Sequence, residues 1–363
     1  MADTKKAPKN KDTYAIADEL GIMAMGPTQL IRHALHCANT NTPLLVLGRP
    51  GVGKTEILGE VAASLRKSLI VERLNGRDPT DMGLPYIYED KGGFRRHGWS
   101  LPDWFRTEGE PTDEDNPGGW MYFFDELAQA YPAMQNRIGE ILNERQLNRA
   151  KMNDKVWIAL AANFAQDKAA TYPIPKQIMN RVSAVILAPD NEDLFQYMSQ
   201  HDIRPELMAF VKLFPDCTDS YDPDAMINCT PRSICSLSKL MDERPAIEDE
   251  MPLYASRIGK GWASQLVSFL KTYRNLPSLD AIIKDPKKTK VPDDDSTDVL
   301  CALGAMLGRA LSPKNATPVV EYLMRLPSEF CVFALRDAVR RDAELKKCRA
   351  LTQWAISHGD VLL

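Results

Sequence analysis

Short apolar runs alternate with helically spaced apolar residues over the first half of the chain. Runs with the length of buried strands lie at 44–47, 69–74, 121–124, 156–162 and 182–187. Between them, apolar residues recur at three- and four-residue spacing, which predicts helices over 27–38, 57–65 and 132–143. This alternation predicts an α/β fold in which helices cover both faces of a parallel sheet.

The second half of the chain shows only the helical spacing. From Glu192 onward no apolar run of the strand type occurs, so an all-α region is predicted. The predicted helices lie at about 192–200, 205–213, 231–242, 253–272, 298–310, 316–324 and 328–356. A polar segment near 285–298, DPKKTKVPDDDSTD, is predicted to be an exposed linker between two groups of these helices.

The composition is that of a globular protein with a core of its own. Of 363 residues, 44% are hydrophobic and 26% are charged, which excludes a wholly disordered chain and suits two compact units. The basic start, MADTKKAPKNKD, lacks the apolar stretch of a secretory signal, and no run approaches the ~20 residues of a membrane helix. Seven scattered cysteines without a Cys-x-x-Cys pair predict buried thiols rather than disulfides or zinc ligands. We therefore expect a cytoplasmic protein, of a cell or of a virus in its host.

A glycine-rich loop joins the first predicted strand to the helix that follows it. Residues 48–55 are GRPGVGKT and match the pattern G-x-x-x-x-G-K-[ST]. Glycines let successive N–H groups face a phosphate, while Lys54 would reach the β- and γ-phosphates and Thr55 would ligate magnesium. The expected cofactors are therefore ATP and Mg²⁺. The residues expected to contact nucleotide are Gly48, Pro50, Gly51, Val52, Gly53, Lys54, Thr55 and Glu56.

A pair of carboxylates follows the predicted strand at 121–124. The carboxyl ends of parallel strands meet at the sheet edge where ligands bind, so Asp125 and Glu126 are expected beside the glycine-rich loop. Asp125 would hold the magnesium ion, and Glu126 would activate the attacking water as general base.

Three further polar residues are candidates for a hydrolytic site. Asn163 follows the strand at 156–162 and could orient the attacking water, although Asn at a strand end is also a common turn residue. Arg181 could complete a neighbouring subunit's site as an arginine finger, or form a surface salt bridge. Arg232 follows a cap-like Thr-Pro pair and could reach the phosphates from the helical half, or be structural.

These five features, in this order, resemble the AAA+ ATPases, and more narrowly the MoxR-like branch that also holds dynein-related modules. The resemblance covers about residues 27–245. In the family's terms GRPGVGKT is Walker A, FFDE is Walker B, Asn163 is sensor 1, Arg181 is the arginine finger and Arg232 is sensor 2. The MoxR character comes from DELAQAYPAMQNRIGEILNERQL, in which Leu127 and Ala128 depart from the more polar residues usual in that branch.

With this resemblance, the patterns predict four segments and an assembly. The segments are a disordered leader at 1–13, a nucleotide-binding α/β domain at 14–190, a helical lid at 191–245 and a helical C-terminal extension at 246–363. The family implies a homo-oligomeric ring, commonly a hexamer, with ATP at the subunit interfaces. Its members often work with a von Willebrand A domain protein; Asp294 to Asp298 comes near the D-x-S-x-S motif of such domains and fails, so that partner would be a separate chain.

The stretch from 78 to 119 is rich in Gly, Pro, Trp and charge, and predicts surface loops with a short hairpin. Members of the MoxR-like branch carry inserts here that shape a central pore. Tyr86 to Trp104 is therefore a candidate substrate-facing loop, whose aromatic residues and arginines could grip a peptide or stack on bases. A loop packed on the sheet is the alternative.

Three functions fit these observations. The first is a ring ATPase that remodels or matures a protein client, which the full catalytic set favours. The second is a nucleic-acid-associated motor or loader; 45 Lys and Arg against 49 Asp and Glu offer it only local basic groups such as Arg95, Arg96 and the PKKTK segment. The third is a nucleotide-gated scaffold that does not hydrolyse ATP, and the presence of Lys54, Asp125 and Glu126 argues against it.

Overall fold

The computed structural model describes residues 13–167, 171–292 and 297–357. The chain divides into two compact units, the first ending at Ala188 and the second beginning at Pro189. Among the described residues, no helix has the length and apolar character needed to span a membrane.

The first unit is built on a parallel sheet. Its described strands are β1 (Ala24–Met25), β2 (Leu44–Leu47), β3 (Ser68–Arg73), β4 (Pro85–Glu89), β5 (Arg95–Trp99), β6 (Trp120–Asp125), β7 (Gln146–Leu147), β8 (Ala150–Lys151), β9 (Val156–Ala162) and β10 (Ser183–Leu187). Six of them form one sheet in the order β1-β10-β2-β9-β6-β3, with every neighbouring pair parallel. The other four form two antiparallel hairpins, β4–β5 and β7–β8.

Helices cover both faces of this sheet, as the alternation of apolar segments predicts. They are α1 (Thr13–Leu20), α2 (Pro27–Asn39), α3 (Lys54–Ser64), α4 (Pro132–Glu144) and α5 (Lys176–Met179). Successive residues of a strand point to opposite faces. Leu44 and Val46 accordingly pack in the core that contains α2 and α3, while Leu45 and Leu47 pack in the core that contains α1 and α4. The α/β class with a helix-covered parallel sheet is confirmed.

The sheet register places four strand ends at one edge. Leu47 pairs with Ala162, Phe124 pairs with Leu160, and Arg73 pairs with Asp125. The residues that follow β2, β9, β6 and β3 therefore lie side by side at the carboxyl edge of the sheet.

The second unit is helical throughout its described residues. Its helices are α6 (Asn191–Gln200), α7 (Pro205–Leu213), α8 (Pro231–Asp242), α9 (Ile247–Tyr273), α10 (Leu279–Lys284), α11 (Thr297–Ala310), α12 (Ala316–Leu323), α13 (Ser328–Arg341) and α14 (Arg349–Ser357). They enclose one apolar core that includes Leu207, Phe210, Leu303 and Leu335.

Several predicted boundaries are wrong. The leader was predicted to extend to residue 13, but Thr13 begins α1, and residues 1–12 lie outside the described residues. The linker was predicted to extend to 298, but α11 begins at Thr297, and residues 293–296 lie outside the described residues. The single helix predicted over 328–356 is two helices separated by a 3₁₀ turn, because the Asp342 side chain accepts a hydrogen bond from the Glu344 N–H and starts that turn.

Candidate active site

Two positions of the glycine-rich loop have a left-handed backbone conformation, and glycine occupies both of them. Gly51 and Gly53 have φ angles of 78° and 102°, in the left-handed region where side chains are strained. α3 begins directly after them at Lys54. The loop therefore curls after β2 and presents the first turn of a helix, which is the arrangement that binds phosphate groups.

The Lys54 ammonium group is buried and fully engaged within the loop. Its Nζ donates to the carbonyl oxygens of Gly48 at 2.7 Å and Arg49 at 3.1 Å, and to Asn163 Oδ1 at 2.8 Å. An ammonium group has three donors, so a phosphate oxygen would have to replace one of these acceptors. The predicted Walker A lysine and the predicted sensor Asn163 are thus in direct contact.

The two carboxylates at the end of β6 lie next to the loop. Thr55 Oγ1 donates to Asp125 Oδ2 at 3.5 Å, a long contact, and Asp125 Oδ1 accepts the Glu126 N–H at 2.8 Å. Glu126 adopts a left-handed backbone with φ of 60°, an uncommon conformation for a residue other than glycine. The chain therefore leaves β6 directly after Asp125 and turns at Glu126.

The surroundings of the Glu126 carboxyl group favour its protonation. Its Oε2 atom is buried without a hydrogen-bond partner. Burial first, and then repulsion by Asp125, raise the pKa of Glu126, while Arg73 and Lys54 act in the opposite direction. A carboxylate with a raised pKa is a stronger base than an exposed one.

The donor set at this edge fits a magnesium nucleotide. A hydroxyl and a carboxylate, from Thr55 and Asp125, are hard oxygen ligands of the type that Mg²⁺ prefers. No cluster of three or more His, Cys, Asp or Glu side chains suited to a metal occurs in the part of the chain that the structure describes. Water and phosphate oxygens would complete the coordination, as is usual for Mg²⁺ at nucleotide sites.

Comparison with known proteins agrees with this geometry. Residues 43–199 match the family model of the AAA domain, dynein-related subfamily. This part of the chain is an AAA domain of that subfamily. The predicted AAA+ membership is confirmed, and the match contains every residue discussed above.

The solved structures that match most of the chain have low sequence identity to it and low TM-scores. NtrX from Brucella abortus is 16% identical with a TM-score of 0.38, and covers 90% of this chain and 72% of its own. NtrX in complex with ATP is 14% identical with a TM-score of 0.36, covering 88% of this chain and 69% of its own. A RuvB variant from Thermotoga maritima is 13% identical with a TM-score of 0.35, covering 75% of this chain and 79% of its own. No curated protein matches the chain.

In the AAA domain, Arg181 lies where the parallel strands begin, at the side of the sheet opposite the phosphate loop. It precedes β10, whose first residue Ser183 pairs with Leu44 at the start of β2, whereas the phosphate loop follows the end of β2. Its Nε donates to Asn143 Oδ1 at 2.9 Å and its Nη1 donates to the Gln177 carbonyl at 2.7 Å. Arg181 is therefore remote from the site of its own domain.

Arg232 belongs to the second unit. It is the second residue of α8, whose start is fixed by a capping box between Thr230 and Ser233. The cap-like start predicted for this helix is present, and the role of Arg232 toward a nucleotide stays a prediction.

Three charged residues near the site are absent from the set predicted from the sequence. Arg73 ends β3 opposite Asp125, and its charge acts on Glu126. Arg49 lies inside the phosphate loop and is buried. Asp167 follows Asn163 by four residues and is buried as well. For Arg73, the signal in the sequence is its place at a strand end; for Asp167, only the fold brings it to the loop.

The segment predicted to face substrate divides into two parts with different surroundings. Trp104 is buried against Tyr122, with ring centroids 5.2 Å apart, so that part of the prediction is wrong and the alternative of packing on the sheet applies. The β4–β5 hairpin exposes Tyr86, Ile87 and Phe94 by 50%, 75% and 66%. The hairpin therefore leaves large apolar side chains uncovered in the AAA domain by itself.

The seven cysteines, all within the described residues, form no disulfide bonds. Cys37, Cys217, Cys229, Cys301 and Cys331 are buried as predicted, whereas Cys235 and Cys348 are only half-buried.

Proposed function

We propose that this protein is a MoxR-like AAA+ ATPase that uses ATP hydrolysis to remodel or mature a protein client. The observation that carries the proposal is the convergence of Lys54, Thr55, Asp125, Glu126 and Asn163 at one edge of the sheet. A phosphate loop alone would fit a nucleotide-gated scaffold. Glu126 beside it, with a buried, unpartnered Oε2 atom and a raised pKa, favours hydrolysis.

Each residue at this edge has a distinct role in the proposed reaction. When bound, Mg²⁺ and the loop neutralise the charge that develops on the transferred phosphoryl group. Thr55 and Asp125 would hold the ion, and Gly48, Pro50, Gly51, Val52, Gly53 and Glu56 would surround the phosphates. Lys54 would exchange one of its internal acceptors for a phosphate oxygen, and Asn163, released from Lys54, could orient the attacking water. Glu126 would take the proton of that water at its carboxylate.

The exposed hairpin supports a protein client more than a nucleic acid. Its arginines face carboxylates: Arg96 Nε lies 2.8 Å from Asp90 Oδ2, and Arg95 is directly opposite Glu89 in the strand register. Binding to a phosphate backbone requires excess positive charge. The exposed Tyr86, Ile87 and Phe94 instead suit apolar segments of a polypeptide.

The proposed assembly is a homo-oligomeric ring, with six subunits as the expected number, that works in the cytoplasm. Arg181 would act on the nucleotide of the next subunit, because it is remote from the site of its own domain. Arg232 would report the nucleotide state to the helical lid, and a separate von Willebrand A domain protein is the proposed partner.

Phosphate release from Mg-ATP, measured over a range of protein concentrations, tests the proposal. Glu126→Gln is the blank, because it keeps the shape of the side chain and removes the base. Specific activity should rise with concentration and vanish in the variant. Nucleotide binding without release at any concentration would favour the scaffold. The nucleic-acid motor would be favoured if single-stranded DNA stimulates phosphate release and this stimulation disappears with added salt, while an unfolded polypeptide gives no stimulation.

A further inference from the structure

Asp167 is a buried acidic residue beside the phosphate loop with no role in the reaction described above. It ends a single 3₁₀ turn, Ala165–Asp167, that follows β9, and its N–H donates to the Phe164 carbonyl at 3.1 Å. The residue is 7% exposed, and its Oδ2 atom is buried without a hydrogen-bond partner. Burial of a carboxylate oxygen without a hydrogen-bond partner costs free energy, so we expect another interaction to offset this cost.

The cations of the phosphate loop supply part of that compensation. β9 pairs with β2, and the Gly48 N–H donates to the Ala162 carbonyl at 3.2 Å, so the loop and the turn after β9 are adjacent. Burial raises the pKa of Asp167, and three weaker effects oppose it: attraction by Arg49, a hydrogen bond with the Phe164 backbone and attraction by Lys54. Asp167 is thus an acidic group close enough to interact electrostatically with the same two cations that a nucleotide phosphate would meet.

We propose that Asp167 is a built-in counter-anion of the phosphate loop, a positioning residue that balances Arg49 and Lys54 and thereby weakens nucleotide binding. The inference rests on the proposed nucleotide site and names a residue that sets the affinity of that site for nucleotide. An anion beside the loop reduces the positive potential that the phosphates experience, and it makes release of the product easier. Removal of this charge should therefore tighten binding, whereas loss of a purely structural contact would weaken it.

Equilibrium binding of a fluorescent ADP analogue in EDTA, at pH 8 and low salt, tests the inference without the metal and without turnover. Asp167→Asn keeps the shape of the side chain and should lower the Kd by about threefold or more, with the gain shrinking as salt is added. Asp154→Asn is the matched control. Asp154 is exposed and precedes β9, so it lies about 20 Å from Asp167 at the other end of the strand. Its substitution removes the same charge and should leave the Kd unchanged.

Two further variants separate the possible outcomes. Asp167→Ser removes the charge with a smaller side chain and should also tighten binding, which covers the case in which Asp167→Asn does not fold. Arg49→Gln removes one of the two cations, and Asp167→Asn in that background should give a smaller gain. Unchanged or weaker binding by the folded Asp167 variants, while the unaltered protein binds the analogue, would overturn the inference. Absence of binding by the unaltered protein would instead overturn the proposed nucleotide site.

Discussion

Lys54 is the residue on which nucleotide binding depends most directly. Its three donors are occupied by Gly48, Arg49 and Asn163, so its ammonium group is already fixed at the position where the loop begins its helix. Lys54→Ala should raise the Kd for a fluorescent ADP analogue by about 10- to 100-fold, the usual effect of removing a charged hydrogen bond.

The control for this change is Lys151→Ala. Lys151 is exposed on β8, and its Nζ lies 4.0 Å from Glu108 Oε2, so its loss should leave binding unchanged. Equal affinity of Lys54→Ala and the unaltered protein would contradict the assignment of the phosphate loop.

Residue by residue, the site could be predicted from the sequence wherever its chemistry is local. Lys54 and Thr55 follow one another in a motif, and Asp125 and Glu126 follow a strand, so their roles can be inferred from neighbours along the chain. Asp167 is different, because its significance comes from the pairing of β9 with β2, which no local pattern contains. Arg73 is intermediate, because its place at a strand end is visible in the sequence but its register with Asp125 is not.

At the scale of elements, α9 shows how an ion pair joins the two arms of a broken helix. A straight helix would place Glu250 and Arg274 about 36 Å apart. Instead, Arg274 Nη1 donates to Glu250 Oε2 at 3.2 Å, and Arg274 Nη2 donates to Glu250 Oε1. The chain reverses at Gly259, whose φ of 78° and ψ of 157° lie outside the helical region.

Arg274→Ala should therefore destabilise the second unit. Glu250 is 3% exposed, and its carboxylate would lose its cation, which costs about 2–3 kcal/mol once the partial exposure of Arg274 is allowed for. Thermal or urea unfolding monitors the effect. Glu250→Gln added to Arg274→Ala should recover part of the loss, because the amide carries no charge.

The matched control is Arg257→Ala, on the same helix. Arg257 is exposed and donates to Ser236 Oγ, so its loss should cost less than about 1 kcal/mol. If the Arg274 and Arg257 variants unfold at the same midpoint, the ion pair does not hold the two arms of α9 together.

The elements themselves could be predicted from the sequence to different degrees. The buried strands and the longer helices of the first unit follow from apolar period, which the packing on the sheet then reinforces. The interruptions of α9 at Gly259 and of the region 328–356 at Asp342 could not, since the apolar period continues across both. In each case one residue that favours another backbone conformation decides the break.

At the scale of the whole molecule, the placement of Arg181 decides whether one subunit has a complete site. Arg181 is held at the edge of the sheet opposite the phosphate loop, through Asn143 and Gln177. If it serves a neighbouring subunit, Arg181→Ala should keep nucleotide affinity and lose turnover by at least about 100-fold.

Mixing two inactive variants tests this arrangement. When Arg181→Ala and Glu126→Gln subunits assemble at random in equal amounts, about a quarter of the interfaces combine an intact Arg181 with an intact Glu126. Phosphate release should therefore reappear on mixing and reach its maximum near equal proportions. Asn143→Ala is the control for a structural role, because it removes the hydrogen-bond partner of Arg181 and keeps the arginine. Activity that stays absent at every ratio, or is lost equally in Asn143→Ala, would show that Arg181 supports α4 rather than the chemistry of the next subunit.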